Sequence, residues 1–205
     1  MKGGEFVCMN NKKICGVGYL GVGYYKPTIN GKTTIAYNAW RNMIHRCYDK
    51  EYQNIKTTYK ECILCEEWLN FQNFAKWCDK NYYMIDNEIM NLDKDILCKG
   101  NKIYSPETCI FVPQRINKLF IKSNKRRGEL PIGVCHTNPK NKFKSYCSTQ
   151  NKFIYLGNYI TPELAFDAYK KCKENVIKEV ADEYKNKIPK ILYDAMYKYE
   201  VEITD

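Results

Sequence analysis

Residues 153–169 read FIYLGNYITPELAFDAY, a strand pattern that is followed at once by the beginning of a helix. The segment Phe153–Tyr159 is dominated by aromatic and apolar residues of the kind enriched in strands. Thr161 and Pro162 come next, and Thr is a favoured N-cap while Pro fits the first helical position. Apolar residues then recur at helical spacing at Leu164, Ala165, Ala168, Tyr169, Cys172, Val176 and Val180. The stretch therefore predicts a strand that leads directly into a long helix.

Two more strands are predicted upstream, over Ile132–Cys135 and Phe143–Thr149, so that a three-stranded antiparallel sheet would pack on the helix. Because side chains alternate between strand faces, those towards the helix would be Phe143, Ser145, Cys147, Ile154 and Leu156. The outward face would carry Lys144, Tyr146, Ser148, Phe153 and Tyr155. Cations, hydroxyls and aromatic rings together suit contacts with the phosphates and base edges of nucleic acid.

The positive charge of the chain is concentrated around these strands. Lys and Arg number 33 against 23 Asp and Glu, a net charge of +10. Nine of the Lys and Arg residues lie between Lys118 and Lys152, where Glu129 is the single acidic residue. A composition biased by an AT-rich genome would spread its lysines evenly, so this clustering favours a polyanionic partner. We expect phosphate contacts from Lys122, Lys125, Arg126, Arg127, Lys142 and Lys152.

The cysteines and the N-terminus bear on the compartment. Eleven cysteines are an odd number, and the start of the chain, Met1–Asn10, is too polar for a signal peptide. Free thiols in a reducing cytoplasm are therefore expected rather than a disulfide framework. No apolar run approaches the roughly 20 residues that a transmembrane helix needs, so no membrane partner is expected.

The N-terminal half is predicted to combine helices with short strands. Apolar spacing indicates helices over Ala36–Tyr48 and Cys65–Cys78, the second with a heavily aromatic face. Strands are predicted over Leu92–Leu97 and Cys109–Val112, and a helix over Pro113–Phe120. The fold class is α+β, with four segments: an N-terminal segment 1–35, a domain 36–120, a basic linker 121–129 and a domain 130–205 that ends in further helices.

The C-terminal domain resembles the ethylene-response-factor (APETALA-type) DNA-binding domain, which also occurs in phage homing endonucleases. The resemblance covers about residues 130–175 and rests on IGV at 132–134, Phe143, YLGNY at 155–159 and TPELAFDAY at 161–169. It implies that outward strand residues contact duplex DNA, and by position these are Cys135, Thr137, Lys144, Tyr146, Ser148, Phe153 and Tyr155. Plant members of the family place Arg or Trp at several of these positions, so the resemblance implies no target sequence.

The N-terminal domain resembles a phage HNH-type (His-Me finger) endonuclease family over about residues 36–120. The matching motifs, in order, are WRNMIHRCY at 40–48, CEEW at 65–68, LDKDI at 92–96, YSPETC at 104–109 and QRIN at 114–117. The resemblance implies a ββα core that holds one divalent cation, Mg²⁺ or Mn²⁺.

Catalysis at such a centre needs a general base to activate water and a cation to stabilise the leaving oxygen. By position in the family, Asp93 and Asn117 keep the metal-ligand roles. Lys94 stands where the family has its histidine base, and a lysine is protonated at neutral pH unless it is strongly desolvated. Asp95 as base or ligand, or His45 from the neighbouring helix, would be alternatives. The resemblance thus implies a degenerate nuclease core with impaired catalysis.

A cysteine site is a separate hypothesis. Cys62 and Cys65 have metal-ligand spacing, and Cys98 and Cys109 could supply a second pair. Ten residues separate the members of the second pair, so it is not a zinc knuckle. Cysteines beside aromatic residues are also explained as small buried hydrophobic side chains. Zinc is therefore not the expected cofactor.

The sequence as a whole predicts a DNA-binding protein of a phage or mobile element, built on an HNH-like scaffold and located in the host cytoplasm. Its expected partner is double-stranded DNA. An active metal-dependent nicking or homing endonuclease is the first alternative. The second is a phage-encoded inhibitor that binds a host protein, with the aromatic helix over Cys65–Cys78 as its surface.

Overall fold

A computed structural model of the chain describes residues 6–7, 13–121, 128–149 and 152–205. Helices alternate with small sheets along the chain, so the predicted α+β class is confirmed. Contacts divide the chain into a first unit, Met1–Val112, and a second unit, Pro113–Asp205. Among the described residues, no helix combines the length and the apolar character needed to cross a membrane.

The strands up to Pro113 form four two-stranded sheets within the described ranges. Their pairs are β1 (Phe6–Val7) with β2 (Val22–Gly23), β3 (Thr28–Ile29) with β4 (Lys32–Thr33), β5 (Ile63–Leu64) with β7 (Ile103–Tyr104), and β6 (Met90–Asp93) with β8 (Ile110–Pro113). The first two pairs are antiparallel, whereas β5 and β7 run parallel. Such short sheets leave most of the core to the helices.

The helices of the first unit are α1 (Ile35–Tyr48), α2 (Lys50–Ile55) and α3 (Phe71–Asn81). The helix predicted over Cys65–Cys78 is wrong in its first part, which is a 3-10 turn over Glu66–Leu69. Asn70 is extended there, and its side-chain oxygen accepts a hydrogen bond of 3.0 Å from the N–H of Gln72. Asn is a strong N-cap residue, so the α-helix begins after it rather than before.

Aromatic side chains form the core of the first unit. The buried apolar side chains of α1 and α3 are Trp40, Met43, Ile44, Cys47, Phe71, Phe74, Ala75 and Cys78. The indole Nε1 of Trp40 donates a 2.7 Å hydrogen bond to the carbonyl of Trp68, so a polar atom of this core is paired. Because Phe71 and Phe74 are fully buried, they are not available as a surface for a host protein.

The second unit contains the predicted strands and helices. Its helices are α4 (Gln114–Leu119), α5 (Pro162–Tyr184) and α6 (Lys190–Tyr197), and its strands are β9 (Val134–His136), β10 (Phe143–Ser148) and β11 (Phe153–Tyr159). The strand order is β11-β10-β9, with both pairs antiparallel. Helix α5 contacts all three strands. The hydroxyl oxygen of Thr161 accepts a hydrogen bond from the N–H of Leu164, as its position before Pro162 predicts.

Gly133 explains the IGV motif in physical terms. Its φ of +79° lies in the left-handed region that favours glycine. A Cβ at this position would also collide with the ring of Tyr169 on α5. The chain before β9 therefore approaches α5 so closely that only glycine fits.

Candidate nucleic-acid interface

The hydrogen-bond register of the sheet brings the predicted outward residues onto one face. Across β10 and β11, Tyr146 lies opposite Tyr155 and Ser148 opposite Phe153. Lys144, at the centre of the sheet, lies opposite Cys135 on β9 and Asn158 on β11. Residues directly opposite in antiparallel strands share a face. We call the resulting set the sheet face: Cys135, Lys144, Tyr146, Ser148, Phe153, Tyr155 and Asn158.

The opposite side of the sheet is closed by α5. Ser145 and Cys147, which alternate with the sheet-face residues of β10, are both 0% exposed. Burial and its neighbour Cys172 raise the pKa of the Cys147 thiol to about 12, so this cysteine stays a neutral core group. The two sides of β10 therefore differ as the alternation predicted.

A β-bulge in β11 places Asn158 on the sheet face. Ser145 lies opposite Gly157 and Tyr146 opposite Tyr155, which leaves Leu156 as the extra residue. Residues three apart in a regular strand, such as Tyr155 and Asn158, would point to opposite faces. Strict alternation misses Asn158 for this reason. The glycine after Leu156, with a φ of +127°, is a signal that could have indicated the bulge.

Two aromatic side chains of the sheet face are open to solvent, whereas Tyr146 is half-buried. Phe153 is 82% exposed and Tyr155 is 52% exposed. The rings of Tyr146 and Tyr155 lie side by side, with their planes inclined by 48°. A phenyl ring held at this exposure gains little from folding.

Lysines flank the sheet face, whereas one predicted contact is not displayed. Lys142 and Lys152 are exposed next to the strands, and Lys144 is half-buried on β10. Thr137 is buried, because β9 ends at His136 and the Thr137 hydroxyl donates to the carbonyl of Lys142 and accepts from its N–H, both at 3.1 Å. The prediction that Thr137 faces outward is therefore wrong. The predicted contacts Lys122, Lys125, Arg126 and Arg127 lie outside the described residues.

In the first unit, Asp93 ends strand β6 and shapes the turn that follows. One of its carboxylate oxygens accepts hydrogen bonds from the N–H groups of Asp95 and Ile96, at 2.9 and 2.8 Å. Burial raises the pKa of the Asp93 carboxyl, and the negative charge of Asp95 raises it further. A cation would favour the ionised form of such a carboxyl. Carboxylate oxygens are the ligand type that hard divalent cations such as Mg²⁺ and Mn²⁺ prefer.

Lys94 has a structural role that its sequence position did not reveal. Its side chain is buried, and the ammonium donates to the carbonyl of Asn101 at 2.7 Å and to the carboxylate of Asp95 at 3.1 Å. The ring of Tyr104 lies 5.9 Å from the ammonium. The Asn101 amide donates back to the carbonyl of Lys94 at 2.7 Å, which closes the loop. These hydrogen bonds connect the chain at Lys94 to the chain at Asn101, which is a structural role rather than that of a general base.

Asn117, the other predicted ligand, is half-buried on α4 in the second unit, whereas Asp93 belongs to the first. The pairing of Asp93 with Asn117 at one cation therefore stays a prediction. Neither residue alone makes a nuclease centre.

The four cysteines considered as a zinc site are not brought together within the described part of the chain. Among the residues that the structure describes, metal-ligand side chains converge at one other place, and Cys62, Cys65, Cys98 and Cys109 are not in it. Burial raises the pKa of the Cys109 thiol to about 12, and burial also raises the pKa values of Cys62 and Cys65. Cys62 and Cys109 are buried and behave as small hydrophobic side chains, which was the alternative reading of the sequence.

The convergence takes place at Cys15, His45 and Asp49. The Nδ1 atom of His45 lies 3.0 Å from a carboxylate oxygen of Asp49 and 3.8 Å from the sulfur of Cys15. From the sequence, His45 was considered only as an alternative general base and not as a metal ligand. The spacing of four residues between His45 and Asp49 could have indicated their contact, whereas nothing local points to Cys15.

Comparisons of the chain with protein-family models, with curated proteins and with solved structures find no match. A functional assignment therefore depends on the sheet face, the charge distribution and the residues around Asp93.

Proposed function

We propose that this protein binds double-stranded DNA through the sheet face of its second unit. The observation that carries the proposal is the strand register, which gathers a lysine, an amide, hydroxyls and exposed aromatic rings on one side of a three-stranded sheet. The major groove of B-DNA is about 12 Å wide and admits strands as well as helices. The resemblance to the ethylene-response-factor domain supports the same use of the sheet.

Each type of side chain on the sheet face has a contact suited to it. The Lys144 ammonium would pair with a phosphate, and the Asn158 amide can donate to and accept from the major-groove edge of adenine. Phe153 would contact a thymine methyl group, which an apolar ring recognises. The hydroxyls of Tyr146, Ser148 and Tyr155 can serve phosphates or bases. Lys142 and Lys152 would add phosphate contacts at the margin.

The clustered positive charge of the protein would attract DNA of any base sequence. The segment from Lys118 to Lys152 has a net charge of +8, from nine basic residues and Glu129. Basic residues that neutralise phosphates release counterions from DNA, and this release makes binding weaken as salt rises. We therefore expect moderate non-specific affinity as well as base contacts.

For the first unit we propose an HNH-like scaffold that does not cleave DNA. Lys94 occupies the position of the histidine base, and its ammonium is held by Asn101 and Asp95. No described contact joins His45 to Asp93, since the Nδ1 atom of its ring contacts Asp49 and Cys15. An active nuclease would need a base that these contacts do not supply.

Duplex binding measured across a salt series tests the proposal. The fluorescence anisotropy of a labelled duplex is titrated with the full chain, and the logarithm of the affinity is plotted against the logarithm of the salt concentration. We expect a steep fall, and Lys144→Gln should reduce the slope by about one. Lys171→Gln is the matched control, because Lys171 is exposed on α5 and outside the sheet face. Salt-independent affinity, or equal slopes for the two variants, would contradict the proposal.

A further inference from the structure

Three side chains with different types of metal-ligand atom come together near the point where α1 ends and α2 begins. One of them comes from the N-terminal segment, and the other two come from α1 and the residue that follows it. The thiol of Cys15, the Nδ1 atom of His45 and a carboxylate oxygen of Asp49 all lie within 4.8 Å of one another. All three residues are half-buried, so their ligand atoms remain within reach of an ion from solvent. This cluster has no part in the proposed DNA interface.

The backbone fixes Cys15 in place. Residues 14–18 form a tight turn in which Ile14 and Gly18 exchange backbone hydrogen bonds of 2.8 and 3.0 Å. Cys15 has a φ of +48°, a left-handed conformation that is unfavourable for a residue other than glycine. Gly18 lies against α1, where a side chain would collide with Ile44 and Trp40. The turn is thus seated on α1 next to His45, because Ile44 directly precedes that residue.

Asp49 is held just as firmly. Its N–H donates to the carbonyl of His45 at 3.0 Å, so it ends α1. One carboxylate oxygen accepts a 3.0 Å hydrogen bond from the N–H of Tyr52 and thereby caps α2. The second oxygen is the one that faces the His45 ring at 3.0 Å. One oxygen therefore positions the side chain while the other remains for a ligand.

The geometry fits a shared ion better than a proton relay. In a Cys-His-Asp relay, the cysteine and the carboxylate contact different nitrogens of the imidazole ring. Here both contact the same atom, Nδ1 of His45. Zinc–ligand bonds of 2.0–2.3 Å in a tetrahedron place neighbouring ligand atoms about 3.3–3.6 Å apart. The observed 3.0 and 3.8 Å separations lie on either side of that range.

We propose that Cys15, His45 and Asp49 bind one Zn²⁺ ion, with a water molecule as the fourth ligand. A thiolate, an imidazole nitrogen and a carboxylate oxygen are all established zinc ligands, and the sulfur disfavours Mg²⁺ and Ca²⁺. On binding, the Cys15 thiol releases its proton to solvent, and the proton of a neutral His45 resides on Nε2. The ion would connect the turn at residues 14–18 to the end of α1. The cysteines considered from the sequence are not part of this site.

Metal titration of the full chain tests this proposal. After treatment with a chelator, the protein is titrated with Zn²⁺ in competition with a colorimetric indicator, and in parallel with Co²⁺ followed by absorbance. We expect one ion per chain and a Co²⁺ spectrum with thiolate charge-transfer bands. Cys15→Ser, His45→Gln and Asp49→Asn should each weaken Zn²⁺ binding by about a hundredfold or more, beyond what the loss of an outer partner costs. Asp49→Asn keeps an oxygen that can cap α2, so its fold is retained.

Cys98→Ser is the matched control, because Cys98 is an exposed thiol of the same unit and belongs to the other cysteine set. It should bind Zn²⁺ as the wild type does. Circular dichroism of every variant reports whether the unit is folded. The proposal is overturned if the wild type binds no Zn²⁺, if the thiolate bands are absent, or if folded Asp49→Asn and Cys15→Ser proteins bind as tightly as Cys98→Ser.

Discussion

Tyr146 on β10 lies directly opposite Tyr155 on β11, with ring centroids 5.4 Å apart. Aromatic pairs of this kind contribute about 0.5–1.5 kcal/mol beyond their buried area. Each ring therefore limits the freedom of the other on a surface that is otherwise open. If DNA binds this surface as proposed, a partly ordered aromatic pair loses less entropy on being covered than two independent rings would lose.

Replacing Tyr155 should weaken DNA binding through the loss of this pair. For Tyr155→Ala we expect duplex affinity to fall by about fivefold to tenfold, which corresponds to about 1–1.4 kcal/mol. Tyr155→Phe keeps the ring and loses the hydroxyl, so it separates the two contributions. Fluorescence anisotropy at one fixed salt concentration measures both variants. Ile191→Ala, at a residue 60% exposed on α6, is the control, and an equal loss in that variant would refute a specific role for Tyr155.

Replacing Gly133 should destabilise the second unit more than replacing another left-handed glycine. Gly133→Ala combines backbone strain with a collision against Tyr169, and we expect the free energy of unfolding to fall by about 3 kcal/mol. Gly128 has a φ of +68° but open space around its Cα. Gly128→Ala should therefore cost only the strain, about 1 kcal/mol. Urea unfolding followed by circular dichroism measures the difference, and equal losses would show that the contact with Tyr169 is unimportant.

Lys94→Met should destabilise the first unit. Met preserves most of the buried aliphatic part of the side chain. It removes the ammonium, which donates hydrogen bonds to the carbonyl of Asn101 and to the carboxylate of Asp95. We expect a loss of about 2 kcal/mol, since a hydrogen bond from a charged group contributes about 1.5–3 kcal/mol. Lys102→Met is the control, because Lys102 has only an exposed ion pair with Glu61 at 3.9 Å. Unfolding by heat or by urea measures both changes. A Lys94→Met variant with an unchanged free energy of unfolding would argue against the structural role of Lys94.

Supercoiled plasmid should remain intact when the wild-type protein is incubated with Mg²⁺ or Mn²⁺. The physical reason is the missing base, since Lys94 is engaged in the loop that follows β6. Gel electrophoresis detects the open-circular form if nicking occurs. Asp93→Ala serves as the control for contaminating nucleases, and nicking that disappears in this variant would establish the nuclease alternative.

Local signals in the sequence predicted those elements whose cause is local. The start of α5 follows from Thr161 and Pro162, and the buried Ser145 and Cys147 follow from the period of two in β10. The beginning of α3 was missed because apolar spacing continues through Asn70, whereas the cap decides where the helix begins.

Features that depend on distant residues were not predictable. The role of Lys94 depends on the return of the chain at Asn101, and the site at His45 depends on Cys15, 30 residues earlier. Thr137 was assigned outward by its position in the ethylene-response-factor resemblance, whereas β9 ends one residue earlier, at His136. In each case the missing information is where another part of the backbone lies.

The bulge at Leu156 has a consequence for the shape of the surface that we propose to bind DNA. A bulge bends its strand and increases the local right-handed twist, so we expect the aromatic end of the surface and the end with Lys144 and Asn158 to be inclined to each other. A curved sheet can follow the helical path of a DNA groove, whereas a flat sheet would contact the groove over a shorter length. Deleting Leu156 would keep the same side chains outward and straighten the strand. Any affinity lost in that variant would measure the contribution of curvature itself.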